Sequence, residues 1–217
     1  MNPTYIDWPY LTHTLNPVTG CLRGCSYCYA RILHERRHKA YMDGANISER
    51  YKYPFNDIHY WPRTFDTVPR KPKKPIKIWI GSVSEIAYWE DSFLEKTIDF
   101  CADHSNIDFM FLTKDPHVYL RHTFPLNCQL GLTITNSDDF KHYNDFINLH
   151  LRNYTFLSIE PLLGFIGGII SRQIDLVIVG MQTKPALMPK REWIESIEHP
   201  NIHIKYPLSR YIQLWGN

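Results

Sequence analysis

Three cysteines, Cys21, Cys25 and Cys28, fall within eight residues of the chain. The spacing Cys-x3-Cys-x2-Cys lets three thiolates wrap one inorganic centre from a single loop. Gly20 and Gly24 stand beside the first two, where the backbone must turn tightly. Thiolates are soft ligands and select iron–sulfur clusters or zinc over magnesium or calcium. A structural zinc site is closed by four protein ligands, and His13 or His34 could supply the fourth. A cubane cluster on three cysteines instead leaves one iron open to a small ligand. Three unliganded thiols are the remaining reading. Cys101, on the apolar face of a helical pattern, and Cys128, at the start of a strand-like run, read as small core residues.

The rest of the composition sets bounds. The chain has 217 residues, 44% hydrophobic and 21% charged, which excludes a disordered polyelectrolyte. Aromatic residues at 14% suggest a well-filled core and ring-lined walls. A net charge of +2 by itself announces neither a nucleic-acid nor a membrane partner. No apolar stretch approaches the ~18 residues of a membrane span; the longest runs, 165–170 and 176–181, are strand-sized. The opening MNPTYIDWPY lacks the basic start and apolar stretch of a signal peptide. A cytoplasmic protein with reduced thiols is therefore expected, and five cysteines, an odd number, make a poor disulfide framework.

The elements that must position the thiols come from hydrophobic periodicity. Apolar runs predict strands near 11–15 and over 75–82, 108–114, 128–136, 153–160, 174–180 and 202–206. Helical spacing predicts helices over 91–104, 137–151 and 191–199, with a basic helix from Arg31. Strands alternating with helices imply parallel βαβ units. A closed eight-fold barrel takes about 250 residues, so a partial (β/α)6-type barrel fits this length, as one α/β domain over 1–217. A doubly wound open sheet is the alternative. The stretch 31–75 breaks the pattern. It reads as a long irregular insertion rich in Tyr, Trp, Pro and Lys. Between residues 31 and 77 there are 12 Lys/Arg against 5 Asp/Glu, a local +7. A solvated loop is the plain reading. A patch for a phosphate backbone is the sharper one, with Tyr51, Tyr53, Phe55, Tyr60 and Trp61 available for base stacking.

The cysteine spacing, with Tyr27 just before the last cysteine, resembles the signature of the radical S-adenosylmethionine (radical SAM) superfamily. The whole chain is similar to a small, phage-associated, three-cysteine-motif branch of it. The segments carrying the resemblance are Asn16–Cys21 (NPVTGC), Cys28–Ala30 (CYA), Leu112–Lys114 (LTK) with Pro116, Ser158–Gly164 (SIEPLLG) and Asp175–Gly180 (DLVIVG). The chain departs from the branch at Leu15, at Met181–Thr183 and at Lys205–Leu208, where the branch tends to carry Trp, Gly-Glu-Ser and Lys-Gln-Trp-Gly.

The resemblance implies a [4Fe–4S] cluster on Cys21, Cys25 and Cys28 in the loop after the first barrel strand. S-adenosylmethionine would chelate the open iron. Reductive cleavage would give a 5′-deoxyadenosyl radical that abstracts hydrogen from substrate, with electrons from a flavodoxin- or ferredoxin-type donor. It also implies a cytoplasmic setting, that of a host cell for a phage-borne gene, and no membrane partner.

Functional residues of such barrels collect at strand C-termini. Ser82, Ser84 and Glu85 follow such a strand end, and the resemblance implies that this segment binds the cofactor's methionine end; Thr133 and Asn136, at another strand end, are candidates for ribose hydroxyls. Gly180 would admit adenine closely, with Gln182 beside it. Lys114 and Glu160 are the catalytic candidates, facing cofactor or substrate; Lys205 is a further one. Against these stand a helix cap for Glu85, a solvated Lys114 and a structural ion pair for Glu160. The sequence does not identify the substrate: a nucleotide or a base within nucleic acid is one expectation and a peptide or small metabolite the other, with a protein partner as a further expectation. A non-catalytic zinc module that binds nucleic acid through its basic arm is the alternative function.

Overall fold

The computed structural model describes residues 1–168 and 170–214. Along the chain the strands are β1 (Asn2–Pro3), β2 (His13–Leu15), β3 (Val18–Thr19), β4 (His59–Tyr60), β5 (Lys77–Ile80), β6 (Asp108–Thr113), β7 (Cys128–Ile134), β8 (Thr155–Ile159), β9 (Leu176–Val179), β10 (Gln182–Thr183), β11 (Ala186–Leu187) and β12 (Ile202–Ile204). The helices are α1 (Tyr29–Met42), α2 (Asp91–Asp103), α3 (Phe140–Asn148), α4 (Arg191–Glu195) and α5 (Leu208–Leu214).

One sheet runs in the order β1-β2-β5-β6-β7-β8-β9-β12. From β2 to β12 every neighbouring pair is parallel and lies in chain order. A doubly wound sheet would reverse its order part-way; this one never does. The arrangement is a partial β/α barrel, as the length and alternation predict. Two crossovers depart from the repeat. A short 3-10 turn, Pro116–Leu120, joins β6 to β7, and the described residues between β8 and β9 hold no helix. The apolar run at 165–170 is therefore loop where described, because Gly167 and Gly168 both take positive φ.

Alternation along the strands sorts the core into two layers. Ile78, Ile80, Phe109, Phe111, Leu130, Leu132, Leu157 and Ile159 belong to the larger cluster, beneath the helices. There α2 buries Phe93, Leu94, Ile98 and Cys101, the face its periodicity marks. The intervening residues Trp79, Met110, Phe156, Leu176 and Ile178 form the second cluster with Trp8. A Cβ on Gly131 would lie 2.3 Å from the Phe156 ring, so that glycine is the space the ring occupies.

Trp8 arrives on a strap between β1 and β2. Its ring stacks on Trp79 at 4.5 Å and meets Phe156 edge-on at 5.7 Å. The strap also reaches the far edge of the sheet. Asp7 Oδ1 lies 3.0 Å from His203 Nε2 on β12, and Asp7 Oδ2 accepts from the Tyr206 N–H at 2.7 Å.

The basic aromatic stretch is more ordered than its sequence suggests. It holds α1, β4 paired antiparallel to β3, and two 3-10 turns. Its aromatic rings are largely used inside the protein. Phe55 is buried, Tyr53 stacks on His59 at 3.6 Å, and Tyr60 packs on Phe93 at 4.6 Å. Trp61 donates to the Thr19 hydroxyl at 2.8 Å. Tyr51, Tyr53, Tyr60 and Trp61 are half-buried, so each ring that could stack on a base also has a partner within the protein. Lys71, Lys73 and Lys74 are exposed but precede β5. They sit at the N-terminal end of the sheet, away from the barrel mouth that the stretch was expected to border.

Candidate active site

A cavity of about 370 Å³ opens at the C-terminal ends of the parallel strands. Each of those strands contributes to its wall, through a strand residue or the segment that follows it: Cys21, Arg23, Cys25, Tyr27 and Cys28 after β2, Gly81–Glu85 after β5, Thr113 on β6 and Lys114 just after it, Thr133 on β7, Ser158 on β8 and Glu160 just after it, Gly180–Lys184 after β9, and Lys205 after β12. Trp8 and Trp79 reach its floor. Of the residues singled out in the sequence, Cys21, Cys25, Cys28, Ser82, Ser84, Glu85, Lys114, Thr133, Glu160, Gly180 and Gln182 all border it. Asn136 does not. Its Oδ1 accepts from the Asp138 N–H at 2.9 Å and caps the turn before α3.

The cysteine loop is shaped by its neighbours. Gly20 takes φ +95°, and a Cβ there would lie 2.1 Å from the Asp57 carbonyl oxygen. Only glycine permits this approach of loop to insertion. The Cys21 N–H donates to the Phe55 carbonyl at 2.8 Å. Cys28 is the N-cap of α1, its Sγ accepting from the Arg31 N–H at 3.3 Å. The positive end of the helix dipole thus faces that sulfur.

Burial pushes the Cys21 thiol up, and nearby Glu85, Cys28 and Cys25 add to the effect. Among the described residues, however, no group of three or more His, Cys, Asp or Glu side chains is gathered tightly enough to hold a metal ion. The thiols share a wall without converging. The donor set itself suits a soft metal centre: three thiols on one loop, with open cavity before them. His34 Nε2 instead pairs with the Tyr53 carbonyl at 2.9 Å, and His13 Nδ1 with the Thr12 hydroxyl at 2.8 Å. Neither histidine borders the cavity.

Glu85 is buried, 7% exposed. Its Oε2 accepts from the Lys114 N–H at 3.0 Å; its Oε1 accepts from the Thr113 hydroxyl and, at 3.4 Å, from the Ala87 N–H. The helix-cap reading is therefore present. A carboxylate offers about four acceptor positions, which leaves room for one more donor from the cavity. Burial raises the Glu85 pKa, against the pull of Thr113 and of the Lys114 ammonium. Burial lowers that of Lys114, opposed by Glu85 and Cys25. The Lys114 Nζ lies 5.6 Å from the Tyr27 ring centroid.

Glu160 forms an ion pair with Lys205 and accepts from Trp8 Nε1 at 3.3 Å. The structural ion pair weighed from the sequence is thus made, on the cavity wall. A Cβ on Gly180 would lie 3.1 Å from the Glu160 carboxyl, so the group that approaches this glycine within the protein is Glu160. Gln182 donates to the Pro185 carbonyl at 3.1 Å within the β10–β11 hairpin. The Ser84 hydroxyl accepts from Trp89 Nε1 at 3.2 Å, and the Ser82 hydroxyl donates to Asn16 Oδ1 at 3.1 Å.

Sequence reasoning missed Trp8, Arg23 and Ser158 as wall residues. Ser158 could have been found from alternation along β8, which turns it to the same side as Phe156. Nothing local in the sequence marks Trp8.

Fold and site define a partial β/α barrel with a thiol-walled cavity at the C-terminal ends of its strands. The chain belongs to the family described as Protein of unknown function (DUF5131), whose model matches residues 3–216. A search among curated proteins finds no match. Among solved structures it is similar to a doubly substituted spore photoproduct lyase with bound AdoMet and dinucleoside spore photoproduct. The TM-score is 0.51 at 14% identity, over 78% of this chain and 56% of that one. This chain thus spans little more than half the length of that enzyme, and the likeness is one of fold. Among the described residues no helix is long and apolar enough to cross a membrane.

Proposed function

We propose that this protein is a radical S-adenosylmethionine enzyme. Cys21, Cys25 and Cys28 would hold a [4Fe–4S] cluster, and the cavity they border would hold S-adenosylmethionine. The observation that carries the reading is the placement of these three thiols, on the loop after the first parallel strand, in one wall with residues from every other parallel strand. The bound AdoMet of the structural neighbour supports the same use of the fold. When bound, cluster and cofactor supply one-electron cleavage of the sulfonium C–S bond and hydrogen abstraction, with electrons from a flavodoxin- or ferredoxin-type donor.

The chain's own groups supply binding. Glu85 offers its remaining acceptor position to the methionine ammonium. Arg23 and Lys114 bring positive charge to a wall whose carboxylates are already engaged, suiting a carboxylate or substrate anion. The Glu160–Lys205 pair and the Trp8 ring bonded to it form a further part of the wall. The substrate in this reading is a nucleotide or a base within nucleic acid. The neighbour's dinucleoside ligand and the local +7 between residues 31 and 77 support it.

Anaerobic reconstitution tests the reading. Wild-type protein is expected to bind about four irons with sulfide, to show cluster absorption, and to release 5′-deoxyadenosine from S-adenosylmethionine on reduction. Cys21→Ala, Cys25→Ala and Cys28→Ala abolish the absorption; Cys101→Ala and Cys128→Ala retain it. A colourless, zinc-loaded protein, or a Cys25 variant that keeps the cluster, overturns it.

A further inference from the structure

A second hollow, about 950 Å³, lies behind the cysteine loop. Its ionisable lining is one-sided. Arg37, Arg50 and Arg63 border it, and among the described residues no Asp or Glu does. None of these arginines stands in an ion pair among the described residues.

Arg50 is the anchor of the group. Its half-buried guanidinium donates to the Asn16 carbonyl at 2.8 Å and to the Thr64 hydroxyl, and lies 5.3 Å over the Trp61 ring. All three partners are neutral. Burial lowers its pKa, so the cation is held against a desolvation penalty that no carboxylate relieves. Arg37 is exposed; it donates to the Tyr51 hydroxyl, and its guanidinium lies 5.0 Å from that ring's centroid. Arg63 is exposed at the rim. Guanidinium groups fixed on aromatic faces, with donor positions left unpaired, match phosphate oxygens in charge and geometry. Ala30 and Val83 line both this groove and the thiol-walled cavity, so the two share a wall.

We propose that the arginine groove seats the phosphate backbone of a nucleic-acid strand, one nucleotide of which enters the adjoining cavity. The second clause rests on the radical S-adenosylmethionine reading; the first does not. The exposed run Lys71, Lys73 and Lys74 lies at the other end of the sheet and carries a comparable charge, which makes it a control built into the chain.

The test is fluorescence anisotropy with a labelled single-stranded oligothymidylate over a salt series, using cluster-reconstituted full chain. Arg37→Glu with Arg63→Glu is expected to weaken binding about tenfold or more and to reduce the slope of log K against log salt by about 2. Lys71→Glu, Lys73→Glu and Lys74→Glu together change affinity by less than about threefold, since distant exposed charges are screened. Arg63→Glu alone, at an exposed rim residue, gives about half the slope change and serves if the double variant misfolds.

Several results overturn the groove: no binding at low salt, loss in the lysine variant but not in the arginine variant, or displacement by inorganic phosphate or thymidine monophosphate as readily as by oligonucleotide. Displacement by polyglutamate at equal charge concentration also overturns it and points to an acidic protein segment. Iron absorption and 5′-deoxyadenosine are read on the same samples. A chain that cleaves S-adenosylmethionine but ignores the strand refutes the groove alone. One that binds the strand through these arginines without assembling a cluster refutes the cavity reading alone.

Discussion

Glu85 serves two purposes with one carboxyl: it ties the segment after β5 to the end of β6, and it faces the cavity. Its pKa in the folded chain is raised, with burial the main cause. The proton is therefore bound more tightly in the native state than in the unfolded one, where the value is about 4.3. The stabilisation from protonated Glu85 is full below that value and is lost as pH rises through the elevated native one. Glu85→Gln should flatten this part of the stability profile. Urea midpoints of wild type and variant measured from acid to neutral pH check it, and parallel curves would contradict the account. Glu160 makes a different prediction. Lys205→Met leaves its buried-edge carboxylate with only the Trp8 N–H and should destabilise by about 1–3 kcal/mol, read as a lowered urea midpoint. The companion change Glu160→Gln with Lys205→Met should recover much of that loss, because no charge is then left unpaired.

Among the elements, the inner faces of β7 and β8 make the sharpest demand. A methyl group on Gly131 would fall within the Phe156 ring's own volume, and that ring is already held edge-on against Trp8. Gly131→Ala should cost about 1–3 kcal/mol through overpacking. Adding Phe156→Leu should return part of it, and additive losses in denaturant titrations would show that the two positions do not compete.

The same strands explain what was legible beforehand. The cores of β6, β7, β8 and β9 are short apolar runs between polar turns, a local signal, and α2 carries its buried face in its spacing. The cysteine loop was legible because its donors are neighbours in sequence. Long-range partners were not. Lys205 meets Glu160 from 45 residues away, and β3 and β4 are two-residue strands that pair across the insertion. The insertion's rings looked available because composition does not say which face a Tyr or Trp turns inward. Asn136 shows a related ambiguity: strand ends and turn caps favour the same small polar side chains, and here the side chain caps the turn before α3.

At the scale of the whole molecule, the sheet stays open between its edge strands β1 and β12, and the strap from Thr4 to Leu11 spans that gap. One end is fixed by β1 on β2, and Asp7 is bonded to His203 and to Tyr206 just beyond β12. Trp8, 4% exposed, fills the interior between them. Trp8→Ala should lower stability by about 3–5 kcal/mol and loosen the cavity floor, which thermal unfolding and tryptophan fluorescence would report. The strap also has a consequence for how the molecule opens. Among the described residues the two edges share no backbone–backbone bond and are coupled through the strap, by the Asp7 carboxylate and carbonyl on His203 and Tyr206 and by Trp8 beside Lys205, so they should come apart as one cooperative unit. In Asp7→Ala, amide protons of β12 and of β1–β2 should lose hydrogen-exchange protection together while those of β6, β7 and β8 keep theirs. Protection lost on one edge alone would show that the first and last strands breathe independently.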